Sequence, residues 1–327
     1  MVHLLITQKV WPVAGTFRIA RSALTEIHTV WVTLTDGHYQ GRGECRPYAR
    51  YGDNVESVTA EIEALRPRIE GGMRLRELQF ALPPGPARNA LDCAMWDLEA
   101  KRQGTSVTAL LPAPPPQSRQ TAFTLSLDTP EGMADAAIAA KQYPLLKIKI
   151  GHEHGLECVR AVYAARPDAD LIVDANEAIA PDELHNFYDQ VAHLRIALIE
   201  QPITAGTERV GQLPQGPIPF CADESLHTVD DLAALSSFGY RAVNVKLDKC
   251  GGLSAAHALM QRAKADGFSV MAGCMVASSL AMAPMMILES YADYIDLDGP
   301  LLLAKDCEDG LVYDKGIIRP PSAALWG

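Results

Sequence analysis

The chain has 327 residues, 48% of them hydrophobic, and a formal net charge of -11. It contains no basic run, which disfavours nucleic-acid binding because phosphate neutralisation needs clustered Lys and Arg. It also lacks a basic amphipathic stretch suited to a membrane surface. The most apolar run, residues 274–288, is too short to span a bilayer and contains Pro284.

The cysteines indicate a reducing compartment. There are seven of them, widely spaced, with no C-x-x-C motif, which predicts reduced and mostly structural thiols. The N-terminal segment has no cationic region of the kind that begins a signal peptide, and Lys9 interrupts its apolar residues. We therefore expect a cytoplasmic protein, and homo-oligomerisation stays open.

The first third of the chain reads as a compact α+β unit. Residues 30–35 and 38–44 predict two strands joined by a hairpin turn at Asp36-Gly37. Apolar residues at helical spacing predict helices over 55–69 and 87–102. The proline-rich segment 112–116 then predicts a stiff linker, which sets the domain boundary at about residue 115.

After the linker, short apolar runs alternate with helical segments. This alternation, repeated eight times, predicts a parallel (β/α) barrel. The runs cover residues 121–127, 145–150, 170–174, 197–200, 218–222, 242–247, 269–272 and 293–297. The helical segments between them cover 130–142, 155–166, 181–194, 228–237, 253–266 and 277–289, with a weak signal around 206–213.

Three acidic residues, Asp174, Glu200 and Asp223, end consecutive predicted strands. Active sites of such barrels lie at the carboxyl ends of the strands. Three converging carboxylates would repel one another unless a cation lay among them, and an all-oxygen site favours Mg²⁺. The alternative is that each acid is an ordinary helix cap or loop residue. Supporting groups for the ligands would be Asn176, Gln201 and Glu224.

Two lysines, Lys147 and Lys149, lie two positions apart in the second apolar run. A strand places both ammonium groups on one side. Inside a barrel, crowding of the two cations would lower a lysine pKa and provide a base near neutral pH. The alternative is an edge strand with two solvated lysines.

A third lysine, Lys246, lies in the sixth run, which is diametrically opposite the second in a barrel of eight strands. A carboxylate substrate bound between them would have one ammonium group on each face. This geometry suits removal of a proton α to a carboxylate by one lysine and its return by the other. A salt-bridged structural role for Lys246 is the alternative.

The last run ends in Asp296-Leu297-Asp298-Gly299, which again places two like charges on one face. Two carboxylates away from the metal-binding wall would suit a substrate ammonium group. The alternative is a surface turn before Gly299-Pro300.

As a set, these motifs resemble the enolase superfamily, in its muconate-lactonizing subgroup, and among its members the dipeptide epimerases. The resemblance rests on Lys147-Ile148-Lys149, Asp174-Ala175-Asn176, Glu200-Gln201-Pro202, Asp223-Glu224-Ser225, Lys246-Leu247-Asp248-Lys249 and Asp296-Leu297-Asp298-Gly299. It extends into the first domain through Gly43-Glu44-Cys45 with Pro47-Tyr48 and through residues 88–98.

The resemblance implies a capping domain (1–115), a (β/α)7β TIM-like barrel (116–298) and a C-terminal segment (299–327) that returns to the cap. It implies Mg²⁺ on the three acids, Lys149 and Lys246 as the acid/base pair, and Lys147 as the group that tunes Lys149. Asp296 and Asp298 would bind the amino group of a dipeptide. Further substrate contacts would come from Arg21, Leu24, Tyr48 and Thr124, and Asp248 would support the site with Asn176 and Glu224.

Two departures from the family pattern concern the substrate side chain. Glu177 follows Asn176 where the family often has Trp. In the capping loop, Arg18 and Arg21 are available for a glutamate γ-carboxylate, but Leu24 stands where another arginine is expected.

The sequence thus favours a Mg²⁺-dependent dipeptide epimerase that inverts the α-carbon of the C-terminal residue through an enediolate, with L-Ala-D/L-Glu as the expected substrate. Related alternatives are a cycloisomerase, an N-acylamino-acid racemase and an o-succinylbenzoate-synthase-like β-elimination. A Schiff-base aldolase and a barrel that only binds metal and peptide are alternatives of other classes.

Overall fold

The N-terminal sheet of the computed structural model has three antiparallel strands. Residues 2–19 and 22–327 are described, so Arg21 lies outside the described residues. The strands are β1(His3–Ile19), β2(Ser22–Asp36) and β3(Tyr39–Cys45), paired in that order. Asp36-Gly37 turns the predicted hairpin, with Gly37 at a φ of 61° that favours glycine. The long first strand was not predicted, because apolar and polar residues do not alternate regularly along it.

Helices cover one face of this sheet. They are α1(Val55–Ala64), α2(Arg66–Glu70), α3(Leu75–Ala81), α4(Pro86–Gln103) and α5(Val107–Leu110). The single helix predicted over 55–69 is wrong, because Pro67 begins a new helix and has no N–H with which to continue the first. Helix α4 packs so closely that a Cβ on Gly43 would lie 2.2 Å from the Ala90 carbonyl oxygen.

The second part of the chain forms a sheet of eight neighbouring parallel strands. After β4(Arg119–Gln120), these strands are β5(Phe123–Leu125), β6(Leu145–Lys149), β7(Asp170–Asp174), β8(Ile196–Glu200), β9(Phe220–Ala222), β10(Ala242–Lys246), β11(Ser269–Gly273) and β12(Tyr294–Asp296). A parallel bridge between Thr121 and Ile295 closes the ring. The structure confirms the predicted barrel with its N-terminal α+β cap.

Six of the connecting helices correspond to the predicted segments with bounds that differ by a few residues, and a seventh, Leu247–Cys250, was not predicted. They are α6(Pro130–Ala139), α7(Gly155–Ala165), α8(Leu184–Val191), α9(Leu232–Phe238), α10(Leu247–Cys250), α11(Leu253–Ala265) and α12(Ser279–Met286). The weak signal around 206–213 corresponds to turns, with no helix in that part of the chain.

The barrel interior is layered by strand alternation. One buried cluster fills it with the side chains of Ala122, Leu145, Ile172, Leu198, Cys221, Ala242 and Met271. Side chains two residues further along the same strands point to the same interior. On β6, for example, Lys147 and Lys149 follow Leu145, and on β7 Asp174 follows Ile172. The apolar layer therefore forms the floor of a charged layer at the carboxyl ends of the strands.

Polar bonds join the cap to this end of the barrel. The Asp248 Oδ1 atom accepts hydrogen bonds from Asn89 Nδ2 at 2.8 Å and from the Arg46 backbone N–H at 3.2 Å. Burial raises the pKa of Asp248 to about 7, although both donors oppose that shift. Helix α4 provides a second connection between the cap and the barrel, in which the Arg88 guanidinium donates hydrogen bonds to the Cys250 and Gly251 carbonyl oxygens.

The C-terminal segment contacts both domains. Strands β13(Tyr313–Asp314) and β14(Ile317–Ile318) form a small antiparallel sheet with β4 beside the barrel. The chain then reaches the cap, where the Trp326 indole N–H lies 2.9 Å from the Arg42 carbonyl oxygen and 3.1 Å from that of Cys93. The domain limits 1–115, 116–298 and 299–327 stay a prediction.

Among the described residues, no helix has both the length and the apolar character needed to cross a membrane. All seven cysteines are free thiols, five of them buried. The cytoplasmic location stays a prediction.

We predict that the C-terminal contact stabilises the fold. The Trp326→Ala variant should lose about 3–5 kcal/mol of unfolding free energy, because Trp326 is only 1% exposed and its truncation leaves a cavity. Urea unfolding followed by circular dichroism measures this loss. The control is Phe80→Ala, since Phe80 is 92% exposed. Equal effects of the two substitutions would contradict the prediction.

Candidate active site

Strand ends bring the predicted charged residues into one buried layer. The side chains come from β6, β7, β8 and β10 and from the residue after β9, and none is more than 8% exposed. They are Lys147, Lys149, Asp174, Glu200, Asp223 and Lys246. Charges so far from water need close partners of opposite sign. The layer is therefore a network of compensating ion pairs.

Lys147 is the centre of that network. Its Nζ atom lies 2.7 Å from Glu200 Oε2, 2.7 Å from Asp296 Oδ2 and 3.1 Å from Asp174 Oδ2. Burial alone would lower the pKa of Lys147, but the surrounding carboxylates outweigh burial and raise it well above its usual value. Lys147 thus remains a cation that links the β6, β7, β8 and β12 strand ends.

The other two lysines each bond a different carboxylate. Lys149 donates to Asp174 Oδ2, and Lys246 donates to Asp223 Oδ2 at 2.7 Å. Strands β6 and β10 are separated by three strands on each side of the closed ring, so the two ammonium groups come from opposite walls. Asp223 is also bonded by Lys249, which donates to Oδ1 at 2.5 Å.

The predicted lowering of a lysine pKa by crowding of Lys147 and Lys149 is wrong for Lys147, and the pKa of Lys246, for which no lowering was predicted, is raised as well. Burial opposes the charged form of Lys246, but Asp223 and Glu200 outweigh that effect and raise its pKa well above the usual value. The reason is that a carboxylate oxygen lies 2.7 Å from each of these two ammonium groups. The sequence pattern showed the like charges on one strand but not the unlike charges contributed by its neighbours.

The three acids have the donor chemistry that a hard divalent cation requires. Asp174 and Glu200 pair directly across β7 and β8. Glu200 Oε1 accepts a hydrogen bond from Asn244 at 2.8 Å, while the buried Glu200 Oε2 is paired with the Lys147 ammonium group at 2.7 Å. Burial and the charge of Asp174 raise the pKa of Glu200 to about 8, so the lysines do not fully compensate this carboxylate.

In the described ranges, no three acidic, histidine or cysteine side chains already surround a common point as metal ligands. The lysine ammonium groups lie against the carboxylate oxygens instead. Three buried carboxylates on neighbouring strand ends, of which Glu200 is incompletely compensated by the lysines, still fit a cation bound through oxygen. The metal roles of Asp174, Glu200 and Asp223 stay a prediction.

A second carboxylate pair lies at the end of β12. Asp298 Oδ2 accepts a hydrogen bond from the Thr124 backbone N–H at 2.6 Å, while Asp296 Oδ2 is bonded to Lys147. Asp296 Oδ1 is buried without a hydrogen-bond partner among the described residues. Burial and the charge of Asp296 raise the pKa of Asp298 to about 6. This pair has unmet capacity for a cationic donor.

Of the residues predicted to support the metal ligands, some are hydrogen-bonded to the acids or to each other, and one joins the cap to the barrel. Asn176 donates through its backbone N–H to Asp174 Oδ1 at 3.0 Å and through its side chain to Glu224 Oε1 at 3.3 Å. Gln201 Oε1 accepts from the Asp223 backbone N–H at 2.9 Å. Asp248 joins the cap to the barrel and does not line the pocket described below.

The pocket above the charged layer is formed by both domains. From the barrel it is lined by Lys147, Lys149, Lys246, Asp223, Asp296, Asp298, Thr124, Asn176 and Glu224, and from the cap by Phe17, Ile19, Ser22, Leu24, Arg46, Tyr48 and Tyr51. It thus contains the predicted substrate contacts Leu24, Tyr48 and Thr124. Arg46 and Tyr51 were missed, although they flank the Pro47-Tyr48 motif that carried the resemblance.

Both domains match known family models. Residues 1–112 match the N-terminal domain of mandelate racemase and muconate lactonizing enzyme. Residues 132–324 match the enolase C-terminal domain-like family.

Relatives over nearly the whole length point to one group of enzymes. The chain is 42% identical over 313 residues to the L-Ala-D/L-Glu epimerase of Escherichia coli, covering 95% of this chain and 97% of that protein. It is 43% identical over 298 residues to the N-acetyl-D-glutamate racemase of a Pseudoalteromonas species, covering 90% and 94% respectively.

A solved structure agrees with the whole fold. It is an enolase family member from Agrobacterium tumefaciens with homology to dipeptide epimerases, crystallised with bound sodium, L-Ala-L-Glu and an ordered loop. The two chains are 44% identical, cover 100% of each other and superimpose with a TM-score of 0.96. With both family models matched and these relatives aligned end to end, the chain belongs to the mandelate racemase and muconate lactonizing enzyme family of the enolase superfamily.

Proposed function

We propose that the chain is a dipeptide epimerase, an isomerase that inverts the α-carbon of the C-terminal residue. The observation that carries this proposal is the placement of Lys149 and Lys246 on opposite walls of one buried pocket, with carboxylates on the strands between them. A substrate α-carbon between these walls has an amine on each face. Inversion requires that one group remove the proton and a second group deliver one to the other side.

Each lysine would have a defined part in the reaction. When neutral, the Nζ atom of Lys149 or Lys246 removes the α-proton, and the ammonium group on the opposite wall protonates the resulting enediolate. The two roles exchange when the reaction starts from the other epimer. Lys147, which stays cationic between three carboxylates, would favour the neutral form of Lys149 two residues away by charge repulsion.

Asp174, Glu200 and Asp223 are the residues that would hold Mg²⁺. When bound, this ion supplies positive charge next to the substrate carboxylate, which makes the α-proton more acidic. The same charge would offset the carboxylates that raise the pKa values of Lys147 and Lys246 in the protein alone. Binding of the ion to the acids would thereby bring Lys246 closer to the range in which a lysine acts as a base.

The carboxylates of Asp296 and Asp298 would bind the free amino group of a dipeptide. Asp296 Oδ1 lacks a hydrogen-bond partner in the described residues, and a substrate ammonium group would supply one. It would also compensate the repulsion that raises the pKa of Asp298. An N-acylated amino acid has no such ammonium group and would leave both carboxylates uncompensated.

A second candidate, racemisation of an N-acylated glutamate, is favoured by the similarity to the Pseudoalteromonas racemase. It would use the same lysines and differ only at the β12 end of the pocket. By contrast, a Schiff-base aldolase requires one neutral nucleophilic lysine and no acidic wall. A non-catalytic barrel would gain nothing from keeping Lys149 and Lys246 on opposite walls, since a buried lysine is costly to desolvate.

An exchange assay in D₂O tests the proposal. The purified chain with Mg²⁺ and L-Ala-L-Glu should replace the glutamyl α-proton by deuterium and form the L,D epimer, both visible by NMR. N-acetyl-L-glutamate serves as the parallel substrate for the second candidate, and excess EDTA as the metal control. If no dipeptide in a panel exchanged its α-proton, the epimerase function would be refuted.

Substitution of each of the two lysines should impair α-proton exchange from a different epimer. Lys149→Ala should slow α-proton exchange from one epimer of Ala-Glu by about 10²- to 10⁴-fold. Lys246→Ala should slow exchange from the other epimer to a similar extent, because each substitution removes the base for one face of the α-carbon. Exchange rates from pure L,L and pure L,D substrate measure this split. The control is Lys141→Ala, at an exposed lysine. Epimerisation by both variants at the wild-type rate would remove these lysines from the mechanism.

Asp298 should distinguish the two candidate substrates. Asp298→Asn keeps an oxygen for the Thr124 N–H but removes one negative charge from the proposed ammonium site. We expect kcat/KM for L-Ala-L-Glu to fall about 10- to 10²-fold, since hydrogen bonds to charged groups are worth about 1.5–3 kcal/mol. Turnover of N-acetylglutamate, if present, should change less. Unchanged kcat/KM for the dipeptide would contradict this site.

A further inference from the structure

One cation of the pocket has no part in the chemistry described so far. Arg46 follows β3 and lines the pocket together with Lys149, Lys246 and Leu24. Its backbone N–H donates to Asp248, which lies two residues after Lys246. This bond fixes the start of the Arg46 side chain at the mouth of the barrel, on the cap side of the charged layer.

The guanidinium of Arg46 differs from the other pocket cations in its partners. Lys147, Lys149 and Lys246 each contact at least one carboxylate. Within residues 2–19 and 22–327, Arg46 makes no ion pair within 4.0 Å, and its nearest ring partner is Tyr48, 5.7 Å from the guanidinium carbon. Burial lowers the pKa of Arg46, and the charge of Asp248 only partly opposes that shift.

The charges of the pocket and of a dipeptide indicate which substrate group the Arg46 guanidinium would bind. A dipeptide with an acidic C-terminal residue carries an ammonium group, an α-carboxylate and a side-chain carboxylate. Asp296 and Asp298 would meet the first, and the layer containing Lys149 and Lys246 must hold the second so that the α-carbon lies between the two amines. A neutral side chain would leave the Arg46 guanidinium without a directly paired carboxylate, whereas an acidic one would form a charge-assisted, two-pronged pair.

We propose that Arg46 is the residue that selects an acidic side chain on the residue being epimerised. This inference rests on the proposed epimerase function and assigns its side-chain specificity. It places the cation directly after β3 instead of at position 24, where an arginine was expected and where Leu24 lines the pocket. The apolar Leu24 would then contact the methylene groups of a glutamyl side chain.

Substrate pairs that differ only in the side-chain charge test the proposal. kcat and KM are measured for L-Ala-L-Glu and L-Ala-L-Gln with the Mg²⁺-loaded wild type, Arg46→Gln and Arg46→Lys. We expect Arg46→Gln to lower kcat/KM for the glutamate dipeptide about 10²-fold, mainly through KM, and that for the glutamine dipeptide less than about 3-fold. Arg46→Lys should show an intermediate loss of kcat/KM for the glutamate dipeptide, because lysine keeps the charge but not the planar fork of the guanidinium.

Two controls separate specificity from folding. Arg68→Gln makes the same change at an exposed arginine of the cap and should leave the Glu-to-Gln ratio of kcat/KM unchanged. Thermal unfolding should show that Arg46→Gln remains folded. Calorimetric binding of L-Ala-D-Glu and L-Ala-D-Gln gives the same comparison from affinity instead of rate, so loss of the Glu preference in binding supports the proposal even if another reaction follows.

Three results would overturn the inference. Equal losses for both dipeptides in Arg46→Gln would mean that Arg46 binds the α-carboxylate or only supports the pocket. A change of the Glu-to-Gln ratio in Arg21→Gln but not in Arg46→Gln would assign the selection to the loop. A wild type that epimerises neutral dipeptides and rejects acidic ones would refute the role of Arg46 while leaving the epimerase function intact.

Discussion

The structure depends on the burial of opposite charges inside one barrel. Charges so far from water are tolerated only when each has a close partner, and Lys147 meets this condition for three carboxylates at once. Those carboxylates come from β7, β8 and β12, so one ammonium group fixes the relative positions of strands that are distant in sequence. Removing Lys147 would leave uncompensated negative charge on both sides of the pocket. The same network that stabilises the barrel mouth therefore sets the positions of the reacting groups.

The cap turns this charged layer into a selective pocket. Asp248 receives hydrogen bonds from Asn89 and from the Arg46 backbone, so the cap is attached next to the strand that carries Lys246. Side chains from the cap then close over the barrel mouth and present both apolar and cationic groups. Under the proposed function, the barrel would supply the reaction and the cap the choice of substrate. Such a division would be compatible with the different substrates named for two similar proteins, an L-Ala-D/L-Glu epimerase and an N-acetyl-D-glutamate racemase.

Much of this arrangement could be predicted from the sequence because it is periodic. Charged residues recur every 23 to 26 positions from Lys149 to Lys246, and that phase alone predicts which strand ends meet. The properties that could not be predicted depend on contacts across the barrel. The pKa values of Lys147 and Lys246 are raised because carboxylates of other strands lie against them. Arg46 follows a strand of the cap and has no periodic signal, so the sequence could not predict its place in the pocket, where it makes no ion pair within 4.0 Å among the described residues.

The central claim is that protons leave and return on opposite faces through two different groups. Mass spectrometry of the first few per cent of L,D product formed from L-Ala-L-Glu in D₂O tests this claim most directly. Two lysines predict product that carries solvent deuterium in nearly every molecule, because the delivering ammonium group has exchanged with solvent before the reaction. Product that retains the α-proton of the substrate would show that a single group moves the proton between faces, and would contradict the two-base mechanism.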